Sequence, residues 1–402
     1  MKKLITILLI ILVFTTLLVS CKEKHTHNYG NWKTVKDGQC TDVGLEEREC
    51  KCGEKETRTI PAGHNFVDGV CQNCDEVTGE PTSDNYFTFT ELDDGTYSIA
   101  AKDVKNIPAT IILPSSYNGK PITVIAENAF GGRITEEKID INGTTVTVHT
   151  TSYCESLSTV VIPDGIKIID KNAFNCCFNL SRVIMGDSVT HINDYAFSCS
   201  ELISITIPES VTEIGGSAFQ LCDFICEIVN NSSVEIEFVS LSKTIDIHKG
   251  KSKLIKKDGC LFYPFEGRIS LVRYIGDETN LVLPSTVNGE SYDIRRLAFA
   301  ECSTIKSLVI PEGVKIIEVD AFFRCESLKK LYLPKSITEL QVSSINLFWE
   351  CDNVTDVYYA GSENDGRAIK ILTSKIFQNN TYYFEDIIVD GVTLHYNHKY
   401  GK

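Results

Sequence analysis

Apolar residues along this chain recur with a short period inside a long one. The short period is two: the pattern Leu-x-x-Ile-x-Ile-Pro places apolar residues at alternate positions and ends on proline. Alternation predicts a β-strand with one buried face, and the proline ends the strand where a missing amide removes no ladder bond. The long period is the spacing of 22 or 23 residues between Ala-Phe pairs in each of two groups, Phe174, Phe197 and Phe219, and Phe299 and Phe322.

A repeat of this length predicts one coil of a solenoid, with a single short strand in each coil. The strands of successive coils stack in parallel, about 4.8 Å apart. One coil cannot bury its apolar face alone, so about three or more must stack and share a continuous core. Ala129-Phe130 opens the series of pairs, and Leu347-Phe348 closes it in degenerate form.

Two interruptions of the series define the expected organisation. The interval from Phe130 to Phe174 is 44 residues, and we interpret it as one coil with an insertion of about 21 residues. Residues 229–297 break the series more deeply, and predict a hairpin followed by a second copy of the unit that opens the solenoid. The expected segments are a signal peptide (1–20), a Cys/His module and linker (21–80), a first repeat block (86–230), the hairpin and second opening unit (231–297), a second repeat block (298–351) and a C-terminal cap (352–402).

A cysteine recurs two or three residues after the phenylalanine of the repeat. We interpret this position as a buried corner of the coil that requires a small side chain, because cysteine packs as a compact hydrophobe. Reduced structural thiols are favoured over disulfides or catalytic groups, since nucleophilic catalysis needs one activated thiol and not a row of them. The seven cysteines at this position are Cys154, which the insertion places 24 residues after Phe130, and Cys177, Cys199, Cys222, Cys302, Cys325 and Cys351.

The unit Ala-Phe-x-x-Cys-x-x-Leu-x-x-Ile-x-Ile-Pro resembles the repeat of the BspA-like leucine-rich repeat family of bacterial surface proteins. The resemblance covers roughly residues 86–402 and extends to an opening unit at 97–125 and a closing cap at 354–396. It implies a β-rich leucine-rich-repeat solenoid, right-handed, with one short parallel strand per 22–23-residue coil, after a small N-terminal Cys/His module. It also implies adhesion, because such proteins are associated with binding host matrix or plasma proteins, other bacteria or glycans.

The first twenty residues predict export from the cytoplasm. A short basic region after Met1 precedes residues 4–19, which carry no charge and are too few for a membrane-spanning helix of about 20 residues. The Leu-Val-Ser-Cys sequence that ends at Cys21 resembles the bacterial lipobox, so Cys21 is the expected mature N-terminus and carries a diacylglycerol anchor. The alternative is a signal peptide cut elsewhere, with Cys21 unmodified. We expect a lipid-anchored protein of the bacterial cell envelope, exposed on the outer membrane.

Residues 25–74 contain five cysteines and three histidines, a density that no other stretch of fifty residues reaches. Paired cysteines two or three residues apart on tight turns can hold one tetrahedral zinc ion. Disulfides compete with metal in an exported chain, although five cysteines leave one thiol unpaired, and a degenerate module with neither is the third interpretation. The expected ligands of a structural zinc ion are Cys50, Cys52, Cys71 and Cys74, with Cys40 and His64 as substitutes.

The charge of the chain argues against nucleic acid as a partner. Lys and Arg total 39 against 54 Asp and Glu, a formal net charge of -15, which becomes -17 once the two lysines of the signal peptide are removed. A protein of this charge has no general electrostatic basis for binding a phosphate backbone, and we expect membrane contact through the lipid anchor alone. No phosphate-binding loop, nucleophile elbow, dinucleotide fingerprint or His-Glu-x-x-His motif is present, so we expect no catalytic residues and no enzyme activity.

The residue between the two inward-facing positions of each predicted strand points outward. A solvated strand face is more often polar at such positions, whereas here the row is mostly apolar or aromatic, which favours a stripe that binds a partner. The alternative is that the row reflects β-propensity alone or is covered by the insertions. The stripe consists of Val161, Ile184, Thr206, Val309, Tyr332 and Tyr358.

Together these features predict a non-catalytic cell-surface lipoprotein that binds a protein or glycan through a solenoid, as an adhesin does. An elongated stack with one continuous face suits the binding of a macromolecule outside the cell. The alternative is an accessory or glycan-handling envelope lipoprotein, or a structural scaffold.

Overall fold

The computed structural model divides the chain into two compact units, residues 1–65 and 66–402. The predicted signal peptide and Cys21 lie outside the described residues. No helix in the described ranges is both long and apolar enough to cross a lipid bilayer. The described residues are 27–36, 40, 43–72, 74–141, 144–236, 245–265, 267–343, 346–373, 382–388, 391–398 and 400.

The described part of the first unit is a three-stranded antiparallel sheet. Charged side chains occupy most positions of its two longer strands and form ion pairs across them. Lys55 Nζ lies 2.6 Å from Glu47 Oε1, and Arg58 Nε lies 2.5 Å from Glu46 Oε2. The strands are β1 (Lys33–Lys36), β2 (Gly44–Glu49) and β3 (Lys55–Ile60).

The second unit begins with a small hairpin and continues as a solenoid of short strands. Strands β4 and β5 form the hairpin, and β11 and β12 form a second one inside the first repeat block. The strands as far as the end of this block are β4 (Phe66–Val67), β5 (Val70–Cys71), β6 (Phe87–Glu91), β7 (Tyr97–Ala101), β8 (Thr110–Ile112), β9 (Ser116–Tyr117), β10 (Lys120–Ile125), β11 (Arg133–Ile141), β12 (Thr144–Ser152), β13 (Thr159–Ile162), β14 (Ile168–Ile169), β15 (Arg182–Met185), β16 (His191–Ile192), β17 (Ser204–Ile207), β18 (Glu213–Ile214) and β19 (Glu227–Asn230).

The rest of the solenoid also consists of short strands. It contains the one α-helix of the described residues, α1 (Glu363–Arg367). Ser362 caps this helix, since its side chain accepts a hydrogen bond from the Asp365 amide. Two short 3₁₀ helices span Asp84–Tyr86 and Phe384–Ile387. The remaining strands are β20 (Asp246–His248), β21 (Ile255–Lys257), β22 (Cys260–Phe265), β23 (Arg268–Tyr274), β24 (Asn280–Val282), β25 (Tyr292–Ile294), β26 (Ser307–Val309), β27 (Ile316–Ile317), β28 (Lys330–Leu333), β29 (Glu339–Val342), β30 (Asp356–Tyr359), β31 (Lys370–Thr373) and β32 (Thr393–His395).

The strands form two parallel stacks, so a coil contributes two strands where the sequence predicted one. The first stack contains the strands of the alternating pattern, in the order β8-β13-β15, then β17-β19-β20, and β24-β26-β28-β30-β32 in the second block. The second stack runs β7-β10-β14-β16-β18 and, in the second block, β23-β25-β27-β29-β31. Several strands of the second stack, such as β14, are only two residues long, which is too short for alternation to reveal them.

Antiparallel strands close the exposed edges where the second stack begins. Strand β6 pairs with β7 at the start of the first block, and β22, followed by β21, pairs with β23 at the start of the second. An unpaired edge strand would offer its amides and carbonyls to other chains. These hairpins therefore protect the first coil of each block.

The repeated phenylalanines form a stacked row inside each block. The rings of Phe174 and Phe197 lie 5.4 Å apart with their planes 1° from parallel, and those of Phe299 and Phe322 lie 5.7 Å apart. All four side chains are at most 1 % exposed. Stacked rings at this spacing fill the interior of successive coils, which confirms the shared core expected from the repeat.

A small apolar cluster and an ion pair join the two blocks. Ile203 and Cys226 of the first block pack with Leu261, Tyr263 and Val272 of the β22-β23 hairpin. A guanidinium nitrogen of Arg273 lies 3.2 Å from a carboxylate oxygen of Glu201 across the same junction.

The expectation that all seven repeat cysteines occupy one equivalent position is wrong for Cys199. This residue follows its phenylalanine by two positions, is half-buried, and has a left-handed backbone with φ of 56°. Ser200 occupies the position of the other cysteines, and its hydroxyl donates to the Phe197 oxygen at 2.7 Å. Cys199 is therefore equivalent to Cys176, whose φ is 57°.

Candidate binding surface and candidate metal ligands

Four adjacent strands of the first stack bring one row of side chains into register. Val309, Tyr332, Tyr358 and His395 are partners on β26, β28, β30 and β32. The rings of Tyr332 and Tyr358 are 4.6 Å apart and 9° from parallel, and those of Tyr358 and His395 are 4.4 Å apart and 10° from parallel. Parallel pairing therefore produces a stack of three rings on the strand face.

Two residues from the C-terminal end of the chain complete this group. The His398 ring lies 4.5 Å from that of Tyr358, and the Tyr400 ring lies 5.0 Å from that of Tyr332 at 71°. Tyr400 is 56 % exposed, so the group faces solvent. We call Tyr332, Tyr358, His395, His398 and Tyr400 the aromatic cluster.

A hydrogen bond at one end of the aromatic cluster and burial at the other shift the pKa values of two residues. His395 Nε2 lies 2.8 Å from Asp356 Oδ1, and this contact, together with the Thr355 hydroxyl, holds the pKa of Asp356 below its usual range. Partial burial, and then the neighbouring Tyr358, raises the pKa of Tyr332. Both tyrosines are half-buried, and the faces of the Tyr358 ring are covered by Tyr332 and His395, so a partner can reach Tyr358 at the edge of its ring.

An open groove of about 430 Å³ lies beside the aromatic cluster. Its apolar wall includes Pro311 and Pro334, the prolines that end two strands. On its polar rim, the Glu312 carboxylate accepts hydrogen bonds from the Lys335 and Ser336 amides at 3.0 and 3.1 Å. The groove thus offers apolar and aromatic surface between fixed polar groups, as binding sites for macromolecules often do.

The stripe residues of the first block lie in a different environment. Val161 and Ile184 pack against Val70 and Val77 near the β4-β5 hairpin, and Val161 is only 6 % exposed. The same unit of the chain therefore covers this part of the row. Thr206 is half-buried beside Val229, its partner on β19. In the second block Val309 is 7 % exposed, which leaves Tyr332 and Tyr358 as the accessible aromatic members of the stripe.

The predicted metal ligands of the first unit lie in two places. Cys50 and Cys52 share the turn between β2 and β3, and their thiols lie within 4.8 Å of each other and of a ring nitrogen of His27. Cys40 and His64 also have their ligand atoms within 4.8 Å of each other. These Cys/His groups can hold a metal ion. The sequence patterns did not identify His27 as a ligand, although His27-Asn28-Tyr29 resembles His64-Asn65-Phe66.

Cys71 and Cys74 belong to the second unit, and their thiols lie within 4.8 Å of each other. The Arg182 guanidinium donates hydrogen bonds to the Cys71 oxygen at 2.8 Å and to the Cys74 oxygen, which anchors this turn on β15. The Lys256 ammonium donates to the Gln72 oxygen at 2.8 Å. A four-cysteine site formed with Cys50 and Cys52 stays a prediction.

A family model for the BspA type leucine rich repeat region matches six copies in residues 123–245 and 279–393, more than half of the chain. No curated protein matches.

The chain is similar to several solved structures of bacterial leucine-rich repeat proteins. A Treponema pallidum leucine-rich repeat protein is 18% identical, with 69% of this chain and 81% of that chain covered and a TM-score of 0.25. A leucine-rich cell surface protein of Faecalibacterium prausnitzii is 19% identical, with coverage of 73% and 98% and a TM-score of 0.26. The pneumococcal vaccine antigen PcpA is 17% identical, with coverage of 79% and 98% and a TM-score of 0.29.

Proposed function

This chain belongs to the BspA-type leucine-rich repeat proteins, and from that premise we propose that it is a non-catalytic cell-surface lipoprotein that binds a macromolecular partner through its solenoid. Repeat solenoids present extended faces that suit large ligands. The proposed role is adhesin-like, with a host matrix or plasma protein or another surface protein as the partner.

The aromatic cluster is the observation that carries this proposal. Tyrosine supplies a large, rigid and amphipathic contact area at low cost in side-chain entropy, and is enriched where binding energy concentrates. Tyr332 and Tyr358 are held in one stack and border the groove of about 430 Å³. A partner can therefore bury aromatic surface there without first ordering it.

The charge of the chain supports a protein partner over a nucleic acid. With 54 acidic against 37 basic residues after removal of the signal peptide, the body repels polyanions and anionic lipid. A glycan is the second candidate, because the Tyr400 ring is 56 % exposed and could pack against the apolar face of a sugar ring. An accessory glycan-handling or scaffolding role is the remaining alternative.

Anchoring through Cys21 is a further part of the proposal. A diacylglycerol and additional acyl chains on this cysteine would hold the mature protein at the envelope of a bacterial cell, on the surface of the outer membrane. The mass of the N-terminal tryptic peptide tests this assignment. An acylated Cys21 is expected, whereas an unmodified cysteine or a different N-terminus would contradict it.

We also retain the expected segments (21–80, 86–230, 231–297, 298–351 and 352–402) and structural zinc in the module as proposals. The four-cysteine ligand set of Cys50, Cys52, Cys71 and Cys74 is one form of that zinc proposal.

The binding experiment uses the chain from Lys22 onward, against immobilised matrix proteins, plasma proteins and bacterial glycans. Saturable binding to one class supports the proposal and identifies the partner class. Tyr332→Ala with Tyr358→Ala is expected to weaken that binding at least tenfold and to leave Tm within a few degrees. Tyr86→Ala, at an exposed aromatic residue before the first repeat, is the matched control. Undiminished binding by the double variant would remove the aromatic cluster from the proposal, and turnover of a glycan would overturn the non-catalytic assignment.

A further inference from the structure

The turn between β2 and β3 presents two thiols on one short loop. The Cys50 amide donates to the Glu54 oxygen at 2.8 Å, and the Gly53 amide donates to the Cys50 oxygen at 2.8 Å. Gly53 adopts φ of 89°, a left-handed conformation that favours glycine and lets the chain reverse within this loop. Cys50 and Cys52 are therefore held on the same closed turn.

A backbone bridge brings His27 to this turn from an earlier part of the chain. Tyr29 forms an antiparallel bridge with Cys50, and the Gly30 amide donates to the Glu49 oxygen at 3.1 Å. His27 Nδ1 consequently lies 3.3 Å from Cys52 Sγ. Zinc bonds of about 2.0 Å to nitrogen and 2.3 Å to sulfur place tetrahedral ligands roughly 3.6 Å apart, which is close to this separation.

The described part of the first unit contains no ordinary apolar core. In its described part, every aliphatic and aromatic side chain with an assigned burial is exposed or half-buried, and the two buried side chains larger than glycine are those of Cys40 and Cys50. The guanidinium groups of Arg48 and Arg58 each lie 4.5 Å from the centre of the Trp32 ring. A unit this small without a core generally needs a metal or a disulfide to stay folded.

We propose that the first unit holds a zinc ion through His27 Nδ1, Cys50 Sγ and Cys52 Sγ, and that this ion maintains the β1-β2-β3 sheet. Two thiolates and one imidazole suit zinc better than a hard cation. His27 and Cys52 are exposed, so water can reach the fourth coordination position. This ligand set differs from the four-cysteine set, and it stands whether or not the solenoid binds a partner.

The first test measures metal content in the chain from Lys22 onward, purified under reducing conditions, loaded with zinc and desalted. His27→Gln and Cys52→Ser are each expected to remove one zinc ion per chain. The matched controls, His191→Gln and Cys302→Ser, replace a half-buried histidine and cysteine of the solenoid and are expected to keep the full content. Unchanged zinc in both first-unit variants would overturn the proposal, as would zinc that depends on Cys71 and Cys74 but not on His27.

A second measurement separates ligation from a merely local packing role. Cobalt(II) replacing zinc should give thiolate-to-metal charge-transfer absorption in the parent chain, weakened in Cys52→Ser and shifted in His27→Gln. Hydrogen exchange read by mass spectrometry should show amides of β2 and β3 losing at least tenfold in protection when zinc is chelated, while amides of β28 and β30 stay unchanged. Unchanged protection of β2 and β3, or a Cys50–Cys52 disulfide in the purified chain, would contradict the proposed role of the ion.

Discussion

The Cys222 thiol lies 3.1 Å from the backbone oxygen of Phe197, which belongs to the preceding coil. The same contact joins Cys177 to the Phe130 oxygen at 3.3 Å and Cys325 to the Phe299 oxygen at 3.0 Å. A buried carbonyl oxygen has two lone pairs, and a thiol is a small apolar group that can also donate a weak hydrogen bond to one of them. The repeat cysteine therefore fills the corner and bonds one coil to the coil before it.

This contact predicts an order of tolerance at position 222. Cys222→Ser should change the free energy of unfolding by no more than about 0.5 kcal/mol, because a serine hydroxyl can also donate to the Phe197 oxygen. Cys222→Ala should destabilise by about 1 kcal/mol, and Cys222→Leu by about 1–3 kcal/mol through overpacking. Urea denaturation of the three variants, with Cys302→Ala as a half-buried control, measures the order. An alanine variant as stable as the parent would show that neither the contact with the Phe197 oxygen nor the packing of the thiol stabilises the protein.

The buried thiols also predict how stability depends on pH. Burial raises the pKa of Cys222 to about 11 and the pKa values of Cys226 and Cys260 to about 12, above about 8.5 for a thiol in an unfolded chain. The folded state therefore binds more protons than the unfolded state between pH 9 and 11, so this contribution is complete below pH 8.5 and falls as pH rises.

Unfolding followed from pH 8 to pH 11 should show this loss as a falling urea midpoint. Cys226→Ala with Cys260→Ala should show a shallower dependence, even though it is less stable at pH 8. At pH 8 the three thiols of the folded parent should resist alkylation, whereas denatured protein should react fully. Rapid modification of Cys226 in the native protein would contradict the assignment.

Glu227 is the residue at the junction of the two blocks that the sequence did not reveal. Its fully buried carboxylate accepts hydrogen bonds from Ser204 Oγ and the Lys253 amide, each at 2.7 Å, and from Ser252 Oγ, and it lies 2.9 Å from His248 Nε2. Glu227→Ala should destabilise by about 1–3 kcal/mol, because four groups lose the acceptor that they share. Glu227→Gln should cost less, since an amide oxygen still accepts.

Thermal and urea unfolding of the Glu227 variants measure this effect. Glu213→Ala removes a carboxylate that is 68 % exposed on a neighbouring coil and should change stability by no more than about 0.5 kcal/mol. If Glu227→Ala behaved like Glu213→Ala, the buried network would contribute nothing to the junction.

How much the sequence predicts depends on whether a feature repeats. Positions that recur at 22 or 23 residues, such as Phe174 and Phe197, predict the solenoid because the same sequence pattern occurs in every coil. Glu227 and His248 each occur once and are not residues of the repeat motif, so no periodicity indicates them. The same limit applies to His27, which reaches Cys52 through a backbone bridge between distant residues, and to His398, which reaches Tyr358 from the C-terminal end.

The aromatic cluster predicts that ring stacking, and not the tyrosine hydroxyl, provides the binding surface. Tyr358 lies between Tyr332 and His395, with ring centres 4.6 and 4.4 Å away. Tyr358→Phe keeps the three stacked rings, so it should bind the partner found in the screen within about twofold, whereas Tyr358→Ala opens a gap in the stack and should lose at least tenfold, about 1.4 kcal/mol. Surface plasmon resonance on both variants measures the difference, with Tyr86→Ala as the control away from the cluster. Equal losses for phenylalanine and alanine would assign recognition to the hydroxyl instead, and no loss for either would place the partner on another face of the solenoid.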